Sequence, residues 1–415
     1  MVDVWLPYGE TEVCARVPAR NMMATIKPNE FHEIENIKSE VKKALKEPLG
    51  VEGLHELAKS SHKVTLVVKA SLEMDVKVNQ AVIEVIREEL HNAGIIDENI
   101  TIILAYNPMT VQTINAESLL SNGLKILHHD PKSSEHVYLG ETSKGTKIYL
   151  NKMLIEADLR VVISFVEPHP YAGYGGLDVI LPGVSGDETI KNHGVLALHP
   201  RAKRGVLKHN PAYEDMLEAS NLVGIDFSIE LARVGDSIVG VFAGSLNETF
   251  RRGVELLESV CKVPIERKAD MLLYSSGGAP HDSNLFDVLV DLDSMTDILS
   301  KDGFIILVAE CSMGYGSRDF YDWMRRFKGS ADILRALRTV FNWGGYMAYR
   351  LSSYLERFNM LLVSALPDYY AVDVFKFKSF RAVNDALRYS INAVGRRSRV
   401  VAIPNGRAVI PILKQ

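Results

Sequence analysis

Three short apolar stretches separated by amphipathic ones constrain the fold of this chain more than any other feature. Lys63–Lys69, Asn99–Ala105 and Leu159–Phe165 are rich in aliphatic and β-branched residues, as expected of strands buried on both faces of a parallel sheet. A helical pattern over Asn79–Ala93, ended by Gly94, lies between the first two. This alternation of strand, helix and strand predicts an α/β fold with right-handed crossovers.

A second alternating pattern begins after a charged segment near residue 265. It comprises predicted strands at Ala269–Ser275 and Gly303–Glu310, with a helix predicted over Leu285–Leu299. A chain of 415 residues is too long for one typical core. We therefore expect two α/β domains, residues 1–265 and 266–415, each with a mainly parallel sheet flanked by helices and with a ligand cleft between them. The last strand could instead pack back on the first domain.

Composition and charge exclude several classes of protein. Hydrophobic residues make up 47% and charged residues 24% of the chain, which is typical of soluble proteins. A net charge of −5 gives no electrostatic basis for nucleic-acid binding, and no apolar window approaches the roughly 18 residues of a membrane span. Three scattered cysteines fit a reducing compartment, and Met1–Trp5 does not resemble a signal peptide. The sequence predicts a cytoplasmic protein without membrane or nucleic-acid partners and leaves the oligomeric state open.

The stretch after the third apolar strand carries the highest density of unusual residues. Glu167 and His169 are followed by a turn with Gly173, Gly175 and Gly176. Open α/β sheets bind ligands at the carboxyl ends of strands, and glycine permits a close approach of the backbone. Prolines on both sides of His169 restrain it, and an imidazole with a pKa of about 6.5 suits acid–base work. A loop histidine bonded to backbone is the alternative.

Two further groups of residues are candidates for chemistry. His193 could bind a metal or cap the end of a helix. In the second half, a glycine loop at 277–278 precedes His281 and Asp282, which would place a titratable pair on the expected cleft. The alternative for this pair is structural, because Asp282 or Ser283 could cap the following helix.

Short motifs along nearly the whole chain carry a family resemblance. They are Leu6-Pro7-Tyr8-Gly9, Pro48-Leu49-Gly50, the block from Glu167-Pro168-His169 to Leu181-Pro182-Gly183, Asn192-His193, His209-Asn210, Phe242-Ala243-Gly244, Gly277-Gly278-Ala279-Pro280 and Ile403-Pro404-Asn405-Gly406. With these motifs the chain resembles the lactate racemase family, the nickel-dependent 2-hydroxyacid racemases and epimerases. The central block with its following Asn-His is the specific part of the resemblance.

The resemblance implies a mechanism and roles for individual residues. The family uses a nickel-pincer nucleotide, a pyridinium derivative that takes a hydride from the substrate α-carbon. His193 falls on the position of the nickel ligand. His169 falls on one of two histidines that exchange the proton of the substrate hydroxyl. The implied partner is a small hydroxyacid-like substrate.

The chain departs from the family pattern at important positions. Asn107 stands where the second acid–base histidine is expected, and an amide cannot exchange a proton at neutral pH. Tyr106 or His281 would then have to serve the other face of the substrate. Leu177-Asp178 stands where the lysine that tethers the cofactor is expected, so we expect the cofactor to bind without a covalent link.

These observations predict a lactate-racemase-like isomerase acting on a 2-hydroxyacid or related hydroxy compound by hydride and proton transfer at a nickel-pincer cofactor. The alternatives are a cofactor- or nucleotide-binding protein of the same fold without racemase activity, and a one-handed redox or epimerase variant with another substrate. The predicted catalytic residues are His169, Asn107, Tyr106 and His281, the cofactor contacts are Gly173, Gly175, Gly176, Asp178, Gly277 and Gly278, and the metal ligand is His193.

Overall fold

A computed structural model describes residues 1–70, 73–110 and 123–414 of the chain. The chain forms two compact units. The terminal unit contains both chain ends and comprises Met1–Glu30, Lys203–Gly205 and Val260–Gln415. The central unit comprises Phe31–Ala202 and Val206–Ser259.

The secondary structure alternates between strands and helices along both units. The strands are β1 Val2–Tyr8, β2 Thr11–Val17, β3 Met22–Thr25, β4 Val64–Val68, β5 Ile100–Leu104, β6 Lys125–His128, β7 His136–Glu141, β8 Lys147–Asn151, β9 Leu159–Val166, β10 Pro168–His169, β11 Gly173–Tyr174, β12 Phe227–Val234, β13 Ser237–Gly244, β14 Lys262–Ile265, β15 Ala269–Tyr274, β16 Leu299–Val308, β17 Asn359–Val363, β18 Lys378–Phe380, β19 Val400–Ile403 and β20 Ile410–Leu413. The α-helices are α1 Ile37–Lys46, α2 Leu54–Lys59, α3 Glu73–Asn92, α4 Lys152–Ile155, α5 Asp187–Leu196, α6 Pro211–Val223, α7 Leu246–Cys261, α8 Leu285–Val290, α9 Asp293–Thr296, α10 Arg318–Arg326, α11 Ser330–Thr339, α12 Trp343–Arg357 and α13 Val383–Val394.

The central unit is built on a six-stranded sheet with the strand order β13-β12-β9-β4-β5-β6. Its pairings are parallel except for the antiparallel β12–β13 pair. All five residues of β4 are buried. Successive side chains of a strand point to opposite faces of the sheet, and both faces of a parallel sheet are covered. On one face, apolar residues of α1, α2 and α3 form a continuous core with β4, β5, β9 and β12. The predicted α/β fold is confirmed.

The terminal unit contains a second, wholly parallel sheet with the order β18-β17-β16-β15-β19-β3. The antiparallel hairpin of β1 and β2 and one side of α13 bury apolar residues against it. No helix among the residues that the structure describes is long and apolar enough to cross a membrane.

The units group the chain differently from the division expected at residue 265. Residues 1–30 belong with the second half of the chain, because β3 is the neighbour of β19 in the terminal sheet. The last strand, β20, pairs in parallel with β14, and both lie in the terminal unit. The single helix predicted over Leu285–Leu299 is wrong: α8 ends at Val290, α9 follows, and Leu299 begins β16.

Candidate functional site

The topology of the central sheet selects one place for a ligand. Strands β4 and β9 are neighbours, β5 and β6 continue the sheet on one side, and β12 and β13 continue it on the other. The chain therefore leaves the carboxyl ends of β4 and β9 in opposite directions, which is the arrangement at which open α/β sheets bind ligands. Lys69 follows β4, and Glu167 and His169 follow β9. The predicted glycine turn comes next.

The glycine turn after β9 is buried and tightly packed. His169 pairs with Gly173 across the two-residue strands β10 and β11. Gly173 has a φ of 81°, and a Cβ there would come 2.5 Å from the carbonyl oxygen of Val206. Gly176 has a φ of 126°, and a Cβ there would come 2.9 Å from the Phe250 ring. Packing against protein atoms accounts for the glycine requirement at both positions, and the expected contact of these glycines with a cofactor stays a prediction.

A buried network of opposite charges lies at the same edge of the sheet. The Lys69 ammonium is 2.7 Å from an Asp178 oxygen and 3.0 Å from a Glu167 oxygen. Arg233, on β12, donates to the other Glu167 oxygen from Nε at 3.0 Å and also pairs with Asp75. Asp178, predicted from sequence as a cofactor contact, is a member of this ion-pair network.

The network fixes the protonation states of its members. Burial alone would lower the pKa of the Lys69 ammonium, but the carboxylates of Asp178 and Glu167 outweigh burial and raise that pKa above its ordinary value. Burial favours the neutral form of Asp178, yet Lys69 holds the pKa of that carboxyl below its ordinary value. Both groups are therefore charged at neutral pH, and each depends on the other because an unpaired buried charge is costly.

His193 lies deep in the central unit, in the last turn of α5, and is wholly buried. Its Nδ1 donates to Asp215 on α6, with a distance of 2.8 Å to the carboxylate oxygen. Its Nε2 has no hydrogen-bond partner among the described residues. A carboxylate can only accept, so the proton of the neutral ring is on Nδ1 and the lone pair of Nε2 is available. The helix-cap alternative for His193 is wrong, because the ring bonds to a side chain of another helix.

Asp215 is itself held in place. Thr146 Oγ1 donates to the same Asp215 oxygen at 3.0 Å, and Thr142 Oγ1 donates to the other oxygen. Both threonines lie around the turn that connects β7 and β8. Carboxylates that fix the ring of a ligating histidine are a regular feature of protein metal sites.

His169 has the opposite tautomer. Its Nδ1 accepts a hydrogen bond from the backbone N–H of Ala172 at 3.1 Å, so the neutral ring carries its proton on Nε2. Burial lowers the pKa of His169 to about 4, and the ring is therefore neutral at pH 7. The hydrogen bond from Ala172 agrees with the alternative interpretation of His169 as a loop histidine bonded to backbone. The Tyr171 ring links the two histidines, with centroids 4.5 Å from His169 and 5.7 Å from His193.

Two of the predicted catalytic residues follow the neighbouring strand β5. Asn107 accepts a hydrogen bond from the backbone N–H of Met109 at 2.9 Å. Tyr106 is 40% exposed. The Tyr106 backbone N–H donates to the carbonyl oxygen of Gly183 at 2.7 Å, so the loop after β5 begins against the end of the block that follows β9.

The remaining predicted residues belong to the terminal unit. Gly277, Gly278 and His281 lie in the loop after β15, and His281 is buried. Both glycines have positive φ, and a Cβ on Gly278 would come 2.8 Å from the carbonyl oxygen of Gly9. The predicted capping role of Asp282 or Ser283 is wrong, because Asn284 caps α8 through its bond from the Asp287 N–H.

Sequence reasoning missed several polar residues inside apolar strands. Glu230, in the middle of β12, is wholly buried, and neither carboxyl oxygen has a partner within the described ranges. Burial and the nearby negative charge of Asp178 raise the pKa of Glu230 well above its ordinary value. The sequence signal that could have identified Glu230 is that it is the single acidic residue within the otherwise mostly apolar run Phe227–Val234. Lys69 gave the same signal at the end of β4.

Family models and relatives of the same description match both halves of the chain. A family model described as the lactate racemase N-terminal domain matches residues 8–205, and one described as the lactate racemase C-terminal domain matches residues 265–411. The chain is similar to the lactate racemase of Thermoanaerobacterium thermosaccharolyticum, with 27% identity over 99% of both chains. It is also similar to the lactate racemase of Lactiplantibacillus plantarum, with 26% identity over 99% of this chain and 100% of the relative.

Solved structures show the same fold. The structure of the lactate racemase apoprotein from T. thermosaccharolyticum superimposes with a TM-score of 0.87 and 24% identity over the full length of both chains. A Thermotoga maritima protein superimposes with a TM-score of 0.63 and 15% identity, covering 92% of this chain and 100% of that one. The two family models together span most of the chain, and it therefore belongs to the lactate racemase family, as an isomerase of the racemase or epimerase class.

Proposed function

We propose that this chain inverts the configuration of a carbon that bears a hydroxyl group, in a hydroxyacid or a related hydroxy compound, with a nickel-pincer cofactor whose metal is bound by His193. When bound, such a cofactor accepts a hydride from the substrate carbon and returns it. Inversion is redox-neutral, because the hydride and the hydroxyl proton both leave and both return. The observation that carries the proposal is the buried Nε2 of His193, which has no hydrogen-bond partner within the described ranges.

The residues around His193 fit a metal ligand. Asp215 holds the ring proton on Nδ1 and leaves the lone pair of Nε2 free. Leaving a buried ring nitrogen without a partner costs free energy, which a bond to a metal would recover. No three His, Cys, Asp or Glu side chains within the described ranges converge on a metal position of their own. A metal at His193 would therefore need its other ligands from the cofactor.

The residues at the tether position do not fit a covalent link. Asp178 has no amine, and the nearest one, on Lys69, is a charged partner of two carboxylates. A protonated amine is not a nucleophile. We therefore propose non-covalent binding and derive no step through a covalent cofactor.

We assign the substrate oxygen to His169. In its resting tautomer, Nε2–H can donate a hydrogen bond to that oxygen. Accepting the hydroxyl proton at Nε2 requires the ring proton to be on Nδ1, where it would face the N–H of Ala172. Proton transfer by His169 therefore requires the ring to release Ala172, which couples the chemistry to a small movement of the loop.

Metal analysis and intact mass test the proposal directly. Protein made in a host that synthesises the pincer cofactor is expected to contain equimolar nickel, and His193→Ala is expected to contain none. His199→Ala is the matched control, because His199 is exposed six residues further along the chain. A peptide spanning residues 170–180 is expected to have its unmodified mass. Equal nickel in wild type and His193→Ala would remove His193 from the site, and a cofactor-sized increase on the peptide would contradict non-covalent binding.

Chiral chromatography after incubation of the loaded protein with single enantiomers of hydroxy compounds tests the isomerase activity itself. We expect inversion of at least one compound in wild type and its loss in His193→Ala. Nickel bound at His193 without inversion of any compound would favour a cofactor-binding protein of the same fold.

A further inference from the structure

A groove on the terminal unit lies between helix α13 and the end of strand β2. Its volume is about 390 Å³, which falls in the range of roughly 300–1,000 Å³ that is usual for small-molecule sites. The residues that line it come from the amino-terminal hairpin, the turn after β2 and one side of α13. All of them belong to the terminal unit, so the groove is complete within that unit.

Hydrogen bonds hold the two walls of the groove together. Asn384, near the start of α13, accepts a hydrogen bond from the Arg16 backbone N–H at 2.8 Å. Its amide nitrogen donates to the backbone carbonyl oxygen of Cys14 at 2.9 Å. One side chain thus satisfies both a donor and an acceptor on the backbone of β2. These bonds fix α13 beside β2, and the groove is a preformed part of the fold.

The floor of the groove is apolar. Leu387 and Ile391 lie four residues apart on α13, so they share one face of the helix. Leu387 is 2% exposed and belongs to the core beneath the helix, and Ile391 packs against that core. Pro18 and the side chain of Met1, which is 75% exposed, line the rest of the apolar surface. This surface suits a short hydrocarbon chain.

The charges that line the groove are positive. In the described part of the chain its charged lining residues are Arg16 and Arg388. Arg388 is 73% exposed and pairs with Asp385 at 3.4 Å. Asp3 is the cross-strand neighbour of Arg16, yet no carboxylate among the described residues forms an ion pair with the Arg16 guanidinium. Arg16 therefore keeps its donors available for an anion.

Further arginines surround the groove. Arg20 lies in the turn between β2 and β3, and Arg396 and Arg397 follow α13. The Asn21 side chain donates to the carbonyl oxygens of Arg396 at 3.1 Å and Ser398 at 2.7 Å, which joins the two segments. The three arginines are exposed. A chain with a net charge of −5 thus concentrates positive charge at one place, and such a place attracts anions.

We propose that this groove binds a small amphipathic anion, a short aliphatic chain with a carboxylate or phosphate head. The chain lies on Leu387 and Ile391, and the head pairs with the Arg16 guanidinium, whose planar donors match both kinds of head. A nucleic acid would use the arginines but would leave the apolar floor without a role. The proposal adds a second ligand site to the one at His193 and does not depend on the isomerase reaction.

Probes with one common chain test the preference for charge. Octanoate, octanamide and octylamine are anionic, neutral and cationic, and their binding to the full chain without cofactor is measured by calorimetry. At low salt we expect octanoate to bind at least about threefold more tightly than octanamide and tenfold more tightly than octylamine, with smaller ratios at high salt. Octylamine binding as tightly as octanoate, or no binding of octanoate, would overturn the proposal.

Two further probes separate the tail and the head. Acetate is expected to bind more than tenfold more weakly than octanoate, because each methylene that leaves water favours binding by about fourfold. Acetate binding as tightly as octanoate would overturn the role of the apolar floor. Octyl phosphate is compared with octanoate, and the tighter of the two identifies the head group.

Matched variants and methyl NMR locate the site. Octanoate is expected to shift the methyl signals of Leu387 and Ile391. Arg16→Gln should reduce octanoate affinity about fivefold and change octanamide affinity little. Arg335→Gln makes the same change at an arginine of the terminal unit whose side chain is 81% exposed, and it should change neither. If Arg16→Gln does not fold, Arg388→Gln replaces it. Unshifted methyl signals, or equal effects of the variant and its control, would overturn the assignment.

Two other occupants are outcomes of the same experiments. A single-stranded oligonucleotide that displaces octanoate at lower concentration than octyl phosphate does would overturn the proposal in favour of a nucleic acid. Self-association of the chain that disappears in Arg16→Gln and is blocked by octanoate would overturn it in favour of a second copy. Isomerase activity enters none of these measurements, so this proposal and the proposed function fail separately.

Discussion

The two units hold the charges at the strand ends of their parallel sheets in different ways. At the β4–β9 junction of the central unit, Lys69 and Arg233 neutralise the carboxylates of Asp75, Glu167 and Asp178. At the β15–β19 strand ends of the terminal unit, Asp282 accepts hydrogen bonds from the backbone N–H groups of Gly9 and Glu310, and the Glu310 carboxylate packs against Gly9. The central junction is internally paired around two histidines, whereas the Asp282 carboxylate of the terminal unit is held by backbone N–H groups.

This difference indicates how two similar sheets can serve different tasks. A parallel sheet with a strand-order reversal guarantees a place for a ligand, but the side chains at the strand ends decide which ligand is accepted. The paired junction keeps buried charges fixed, and we propose the Nε2 atoms of His169 and His193 as its reactive groups. The acidic junction carries the carboxylates of Asp282 and Glu310. The following predictions test this contrast, from the largest expected effect to the smallest.

Replacing His169 by glutamine is expected to have the largest effect on the reaction. Glutamine keeps a hydrogen-bond donor but cannot exchange a proton. If His169 transfers the hydroxyl proton, the isomerisation rate of loaded protein should fall about 100- to 10,000-fold, with His199→Gln unchanged. Retention of the rate within about tenfold in chiral chromatography would show that His169 only donates to the oxygen.

Breaking the paired charges of the central junction is expected to reduce stability strongly. Lys69→Met leaves Asp178 and Glu167 without their cation in a buried site and should lower the free energy of unfolding by about 3–5 kcal/mol. Lys43→Met removes an exposed pair with Glu40 and should cost no more than about 1 kcal/mol. Urea unfolding measures both. A loss below about 1 kcal/mol for Lys69→Met would mean that the junction is hydrated.

Loosening the ring of His193 is expected to weaken metal binding. Asp215→Asn removes the carboxylate that fixes the ring tautomer, and nickel retention after gel filtration of loaded protein should fall about 10- to 100-fold. The ¹⁵N NMR signals of His193 in the metal-free protein should also move toward a mixture of tautomers. Glu218→Gln, a control on the same helix α6 at an acid that accepts from Ser143, should change neither. Unchanged tautomer signals in Asp215→Asn would contradict a positioning role.

Removing a charge from the acidic junction is expected to have the smallest effect and the opposite sign. Glu310→Gln relieves repulsion with Asp282 and should raise the free energy of unfolding by up to about 1 kcal/mol at low ionic strength, with less effect at high salt. Urea unfolding at two salt concentrations checks this. A destabilisation comparable to that of Lys69→Met would show that Glu310 has a favourable partner and would end the contrast between the junctions.

The fold was accessible from sequence because its signals are local. Runs such as Leu159–Phe165 specify buried parallel strands through their own composition, and the helical spacing between such runs specifies the crossovers. The division into units was less accessible, because β3 joins β19 across most of the chain length. Pairing of a four-residue strand with a distant partner leaves little trace in its local sequence.

The sequence by itself determined the α/β architecture, the identity of His169 and His193 as candidates, and the glycine turn between them. Only the tertiary structure decided what these residues can do. Asp215 and Ala172 give the two histidines opposite tautomers, and Lys69 occupies Asp178 in an ion pair. The physical reason is the distance along the chain over which each property is determined. Burial patterns depend on neighbouring residues, whereas protonation and hydrogen bonding depend on groups that only folding brings within about 3 Å of one another.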